Sequence, residues 1–137
     1  MVLPTAYARK SAFGANLNDI VARTLEAFAP TQVRMFGDPI DISPKHALAL
    51  SLHELATNAT KYGALSCPEG RVGVQWSVHE GMLHIDWEES GGPPVSPPTQ
   101  KGFGSRLLED LVVRDLGGDT KLNYDVSGVR CSITAEL

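Results

Sequence analysis

The chain has 137 residues, 42% of them hydrophobic, which fits one domain with a single core. Its 12 basic and 16 acidic residues give a net charge of −4, which argues against a nucleic-acid partner because binding a phosphate backbone favours clustered positive charge. The two cysteines lack a CxxC context and no apolar run is long enough to cross a membrane, so we expect reduced thiols and a cytoplasmic protein without direct membrane contact.

The first predicted element is an amphipathic helix. Residues 1–14 show no sustained period and are interpreted as a lead-in, so the predicted domain covers 15–137. Apolar side chains then recur at helical spacing over 16–28. Pro30 ends this helix because proline cannot donate the next backbone hydrogen bond.

Two short strands and a longer helix follow. The strands are predicted at 32–36 and 39–42, with the turn 37–38 between them. The helix is predicted over 43–62, because a serine N-cap and a proline in the first turn mark its start. Gly63 is expected to end it as a C-terminal cap.

The middle of the chain predicts a hairpin and a loop. Residues 71–79 and 82–89 alternate between apolar and polar, which indicates adjacent strands joined by a tight turn at Glu80-Gly81. Residues 90–101 contain four prolines and two glycines, which favour neither element. We expect a loop that covers a binding site.

A glycine-opened helix at 102–116 and two strands at 119–126 and 129–137 complete the prediction. The expected fold is therefore α/β (α+β), a two-layer sandwich in which helices cover one face of a mostly antiparallel mixed sheet. Parallel βαβ winding fits less well, because the strands come in hairpin pairs.

The helix predicted over 43–62 has two faces. A core stripe is expected from its apolar residues, which are Leu48, Leu52, Leu55, Ala59 and Tyr62. Glu54, Asn58 and Lys61, separated by four and then three residues, project from another side and form what we call the polar stripe. Such a trio suits phosphoryl chemistry, although the same spacing fits a solvated face with an internal ion pair.

Two glycine segments add to this pattern. Gly102, Phe103 and Gly104 open a predicted helix, where free N–H groups attract phosphate. Glu89 ends a strand before Gly91, so that its carboxylate could accept a hydrogen bond from the amine of adenine. Each segment taken alone is equally compatible with an ordinary turn.

The order of these pieces resembles the Bergerat ATP-binding fold of the GHKL group, which includes histidine kinases, type II topoisomerases and mismatch-repair ATPases. HELATNATKYGALS resembles the N box, and WEESGGPPV and KGFGSRLL resemble the two glycine boxes. His53, Trp87 and Glu89 together resemble the signature of the HWE subfamily of sensor histidine kinases. The resemblance covers about 15–137.

The resemblance implies a role for each matching position. Glu54 would orient or activate, Asn58 would bind Mg²⁺, and Lys61 and Tyr62 would approach the phosphates and the nucleoside. Glu89 takes the place of the adenine-reading aspartate of ordinary histidine kinases.

Other matching positions concern the lid and the site's edge. Gly91, Gly102 and Gly104 match glycines that flank the nucleotide and hinge the lid. Two roles stay open: His53 either supports the site or packs, and Trp87 either lines the site or belongs to the core.

The implied function is that of a histidine kinase catalytic domain. It would bind ATP or ADP with Mg²⁺ and pass the γ-phosphoryl group to a histidine on a dimerisation domain, for transfer to a response-regulator aspartate. No segment here resembles that dimerisation hairpin, so the chain is expected to be a monomer that does not autophosphorylate. The alternatives are a stand-alone serine kinase of the anti-sigma-factor type and a degenerate GHKL interaction module.

Overall fold

The computed structural model of the chain describes residues 15–26, 31–42, 46–95, 114 and 116–136. Within these residues two helices, one short 3₁₀ turn and seven strands follow each other along the chain. They are β1 (Ala15–Asn16), α1 (Leu17–Glu26), β2 (Val33–Phe36), β3 (Asp41–Ile42), α2 (His46–Lys61), the 3₁₀ turn Ala64–Ser66, β4 (Arg71–His79), β5 (Met82–Ser90), β6 (Asp119–Asp125) and β7 (Gly128–Glu136).

The main sheet has five strands in the order β2-β4-β5-β7-β6. The pairs β4–β5, β5–β7 and β6–β7 are antiparallel, and only β2–β4 is parallel. The prediction of a mostly antiparallel mixed sheet is thus confirmed. The predicted turn at Glu80-Gly81 also forms, and both of its residues have positive φ, as a tight hairpin between twisted strands requires.

The two short strands predicted at 32–36 and 39–42 do not form a hairpin with each other. β2 instead pairs in parallel with β4, where Val33 lies opposite Val72. β3 pairs with β1 in a separate two-stranded sheet. The prediction was wrong on this point because periodicity identifies strands but not their partners. The partners of these two strands, β4 and β1, are distant in sequence.

The core lies between the helices and one face of the sheet. Buried residues of α1, α2 and alternate positions of β4, β5 and β7 form a single hydrophobic cluster. Four members of the predicted core stripe on α2 are buried, but Tyr62 is 74% exposed because the helix has ended at Lys61. Among the described residues, both helices therefore cover the same face, as the two-layer prediction requires.

Several predicted features lie outside the described residues, among them the start of the second helix at Ser43 and most of the predicted helix 102–116. Of that last helix, Arg114 is described and is helical. Within the described ranges, no helix is both long enough and apolar enough to cross a membrane.

Candidate active site

The polar stripe lies on the outer side of α2. Glu54 and Asn58 are half-buried and Lys61 is exposed. Their neighbours Leu55 and Ala59 point into the core, which fixes the rotation of the helix and so the direction of the stripe. No ion pair joins Glu54 to Lys61 in this described part of the helix.

Glu89 is the one buried carboxylate among the described residues, with only 5% of its surface exposed. It lies near the end of β5, on the face that packs against the helices. Each carboxylate oxygen accepts a hydrogen bond from its own donor. The backbone N–H of Ala64 donates to Oε1 at 3.0 Å, and Trp87 Nε1–H donates to Oε2 at 2.9 Å.

Burial and hydrogen bonding act in opposite directions on the pKa of the Glu89 carboxyl. Removal from water disfavours the charged form and raises the pKa of Glu89, while the N–H donors of Ala64 and Trp87 lower it. Desolvation is the larger effect, so the net pKa lies above the ordinary value. A buried carboxylate with a perturbed pKa and directed donors is a candidate functional group.

Trp87 shares the inward face of β5 with Glu89, because residues two apart in a strand point the same way. The indole is almost fully buried, with 1% of its surface exposed. Of the two roles left open above, the structure therefore places its ring in the core and directs its polar edge toward the candidate site.

Gly63 ends α2, but not in the way that its sequence context predicts. Its φ of −115° and ψ of −149° are not left-handed, so it is not a C-terminal cap of the expected kind. Its N–H still donates to the Ala59 carbonyl at 3.0 Å. A Cβ at this position would collide with Glu89 Oε1, so a larger residue would displace the carboxylate. We call Gly63, Ala64 and Trp87 the Glu89 cradle.

The glycines after β5 bring a second close contact to the same place. Gly91 has a φ of 74°, and a Cβ there would also lie 2.6 Å from the Glu69 carbonyl oxygen. A Cβ on Gly92 would lie 2.6 Å from Ala64 Cα. The segment after α2 and the segment after β5 therefore pack backbone to backbone, which only glycine permits.

The remaining predicted residues are placed as follows. His53 is exposed, and its carbonyl accepts a hydrogen bond from the Thr57 hydroxyl at 2.8 Å. Tyr62 is exposed next to the cradle, where an aromatic ring could contact a nucleoside. Gly102, Phe103 and Gly104 lie outside the described residues.

Within the polar stripe, Glu54 and Asn58 carry oxygen atoms of the kind that Mg²⁺ prefers. In the described ranges, no group of three or more His, Cys, Asp or Glu side chains could hold a metal on its own. Mg²⁺ in nucleotide sites is usually held by one or two protein oxygens together with the phosphates. The half-buried amide of Asn58 is suited to be such a ligand.

Sequence reasoning missed the contribution of Gly63 and Ala64. Both belong to the segment that resembles the N box, but Gly63 was interpreted only as a helix cap and Ala64 was assigned no role. The clearest available signal was the small pair Gly-Ala immediately after the helix. Its significance depends on Glu89, which lies 25 residues away from Ala64.

Comparison with known proteins agrees with this geometry. The chain is 35% identical over 133 residues to a blue-light-activated histidine kinase of Brucella ovis. This match covers 90% of the chain and 27% of that protein. It is 36% identical over 126 residues to blue-light-activated histidine kinase 1 of Erythrobacter litoralis. This second match covers 86% of the chain and 35% of that protein. The chain thus spans about a third or less of these relatives. No protein-family model matches the chain.

Solved structures share the fold. The histidine kinase domain of the Erythrobacter litoralis EL346 blue-light-activated kinase superimposes with a TM-score of 0.70 at 22% identity, covering 93% of this chain and 61% of that one. The catalytic domain of histidine kinase ThkA gives 0.69 at 17% identity, covering 88% and 93%. Together with the motifs and the sheet, the relatives support an HWE-type histidine kinase catalytic domain, and the solved structures show that its fold is that of histidine kinase catalytic domains.

Proposed function

We propose that the chain binds MgATP and is the nucleotide-binding half of a protein histidine kinase. The contact between Glu89 Oε1 and the Ala64 N–H is the observation that carries this proposal. It joins the strand end that would read the base to the end of α2, whose polar stripe would meet the phosphates. Two motifs that are separate in sequence thereby become two ends of one site.

At the base end, Glu89 would accept a hydrogen bond from the exocyclic amine of adenine. Its two donors occupy one lone pair on each oxygen, and each oxygen has a second lone pair. The exposed ring of Tyr62 would contact the nucleoside. Gly91, which has no side chain, would let the nucleoside approach the backbone.

At the phosphate end, Asn58 would hold Mg²⁺ and Lys61 would neutralise phosphate charge. The metal, when bound, supplies charge neutralisation on the phosphate oxygens. Glu54 would orient the attacking imidazole or accept its proton. These residues position and neutralise rather than form covalent bonds, as is general for phosphoryl transfer.

The reaction needs partners beyond this chain. We propose that the γ-phosphoryl group passes to a histidine nitrogen on the protein's own dimerisation domain, with ADP as the leaving group. An aspartate on the receiver domain of a response regulator then takes the group. Because dimerisation would reside in that other domain, we expect this chain to be a monomer of 14.7 kDa by light scattering.

A transfer assay tests the proposal. The chain is incubated with γ-labelled ATP, alone and with a separately produced dimerisation domain of an HWE-type histidine kinase. We expect acid-labile label on the added domain and none on the chain alone. Acid-labile phosphohistidine on the isolated chain would contradict the proposed division of labour, and acid-stable label on a protein substrate would favour a serine kinase.

A further inference from the structure

Trp87 has no surface left for direct contact with a ligand. Its ring is 1% exposed, and its single polar atom donates to Glu89 Oε2 at 2.9 Å. A tryptophan that packs in a core needs a partner for its N–H, but a backbone carbonyl is sufficient for that purpose. Any effect of Trp87 on a ligand must therefore pass through the Glu89 carboxylate.

The other tryptophan of the chain shows the difference. Trp76 is also buried, at 6% exposed, and lies on β4 next to β5. Its Nε1–H donates to the backbone carbonyl of Asp38 at 2.9 Å. Trp76 thus has similar burial and also donates its indole N–H, but its acceptor is a backbone carbonyl, which does not change protonation and is not at the candidate site.

We propose that Trp87 is a positioning residue that, together with the Ala64 N–H, holds the Glu89 carboxylate in the orientation that selects adenine over other bases. This inference rests on the proposed function, since it concerns how the same site recognises its base. It assigns the tryptophan a role that acts entirely through a second side chain.

The orientation of the Glu89 carboxylate depends on what its two oxygens contact. A carboxylate accepts hydrogen bonds only, and here each oxygen has a different fixed donor. Rotation of the group would break both bonds in a buried place, where an unsatisfied donor is costly. The lone pairs left over therefore keep fixed directions and meet a donor such as the adenine amine. A base with a carbonyl at that position would place one acceptor against another.

The length of the side chain fits this role. The carboxylate reaches from β5 to the N–H of Ala64 beyond the end of α2, and Gly63 leaves the space for it. An aspartate, one methylene shorter, could not satisfy both donors from the same strand position. Glu89→Asp is therefore expected to weaken selectivity for adenine rather than preserve it.

The selectivity of binding tests the proposal. Calorimetry gives the dissociation constants of MgADP and of the inosine diphosphate complex, in which a carbonyl replaces the amine. The wild-type chain is expected to prefer ADP by at least about tenfold, the scale of one hydrogen bond to a charged group. Trp87→Phe keeps the ring and removes the donor, and should reduce that preference to within about threefold. Trp76→Phe, the matched control, should retain it.

A spectroscopic measurement leaves Trp87 in place. Trp76→Phe leaves a single tryptophan, so its ¹⁵N-labelled form shows one indole N–H resonance, that of Trp87. This resonance should move when MgADP is added and move less with inosine diphosphate. Adding Glu89→Gln should shift it in the absence of nucleotide, because the new amide places a donor where one of the two N–H groups requires an acceptor.

The outcomes separate the two proposals. If the wild-type chain binds neither nucleotide, the proposed function fails and this inference fails with it. If the chain prefers ADP and Trp87→Phe retains that preference, Trp87 packs but does not position, and this inference alone is overturned. If the Trp87 indole resonance does not shift in Glu89→Gln, this inference is overturned as well. Loss of selectivity in Trp87→Phe but not in Trp76→Phe would support it.

Discussion

The two ends of the candidate site, which we propose bind the base and the phosphates, are built in opposite ways. The base end is buried, and the Glu89 cradle holds a carboxylate by two hydrogen bonds in the interior. The phosphate end consists of half-buried or exposed side chains on one stripe of α2. A fixed, desolvated end suits recognition of a flat base, whereas an accessible end suits a metal ion and a transferring phosphoryl group. Substitutions at the base end should therefore alter stability and binding together, and those in the polar stripe should alter function alone.

The largest expected effect on stability is that of Glu89→Ala. It leaves the N–H groups of Ala64 and Trp87 without an acceptor in the interior, which should lower the free energy of unfolding by about 2–3 kcal/mol. Urea unfolding followed by circular dichroism measures the change. Val126→Ala, at an exposed apolar residue in the turn before β7, is the control and should leave stability unchanged. An unfolding free energy equal to that of the wild type would show that Glu89 is not held as described.

Gly63→Ala should have the next largest effect. The added Cβ would collide with Glu89 Oε1, and displacing the carboxylate should reduce the free energy of unfolding by about 1–2 kcal/mol. The double variant with Glu89→Ala sharpens the test. Removing the carboxylate frees the space, so the second substitution should then cost about 1 kcal/mol less. If the two costs simply add, the glycine is required for some other reason.

Asn58→Ala should separate function from folding. Asn58 is half-buried in the middle of α2, and alanine is the better helix former, so the free energy of unfolding should change by less than about 0.5 kcal/mol. Nucleotide binding should lose its dependence on Mg²⁺, as shown by calorimetry in magnesium and in a chelator. A variant that unfolds more easily but binds MgADP normally would reverse the comparison between the two ends.

The smallest expected signal is a pH dependence of stability from Glu89. Its pKa in the folded chain is raised by burial, but the two N–H donors offset part of that rise. Between the ordinary carboxyl pKa of 4.5 and the raised folded value, the unfolded chain loses its proton first. The free energy of unfolding should therefore fall as the pH rises through this window and stay at its lower value above it. Glu89→Gln should remove this part of the slope, and a parallel wild-type and variant profile would contradict it.

The sequence predicted the regular parts of the fold well. Residues 71–79 and 82–89 were expected to be strands, and β4 and β5 occupy Arg71–His79 and Met82–Ser90. Alternation succeeds here because one face of the sheet is buried and the other is exposed, so that burial imposes the period of two on the residues. The same reasoning could not find the partner of β2, since a parallel pairing with a distant strand leaves no local pattern.

For the candidate site, the sequence predicted residue types but not the contacts between them. Helical spacing identified the polar stripe, the strand-glycine segment identified Glu89, and the resemblance implied their roles. The structure places Glu89 beside the end of α2. The cradle was not predictable, because a backbone N–H carries no side-chain signal. A glycine after a helix is ordinarily explained as a cap. The requirement at Gly63 becomes visible only when the side chain that fills its empty position is known.

The most direct test of the account is a calorimetric titration with MgADP of the wild-type chain and of Glu89→Ala. We expect wild-type binding on the order of −6 to −8 kcal/mol, corresponding to a micromolar dissociation constant. Glu89→Ala should weaken it at least about 100-fold, by removing both the acceptor and the order of the base end. No heat from the wild-type chain, together with no competition by a non-hydrolysable ATP analogue, would contradict nucleotide binding and favour a degenerate interaction module.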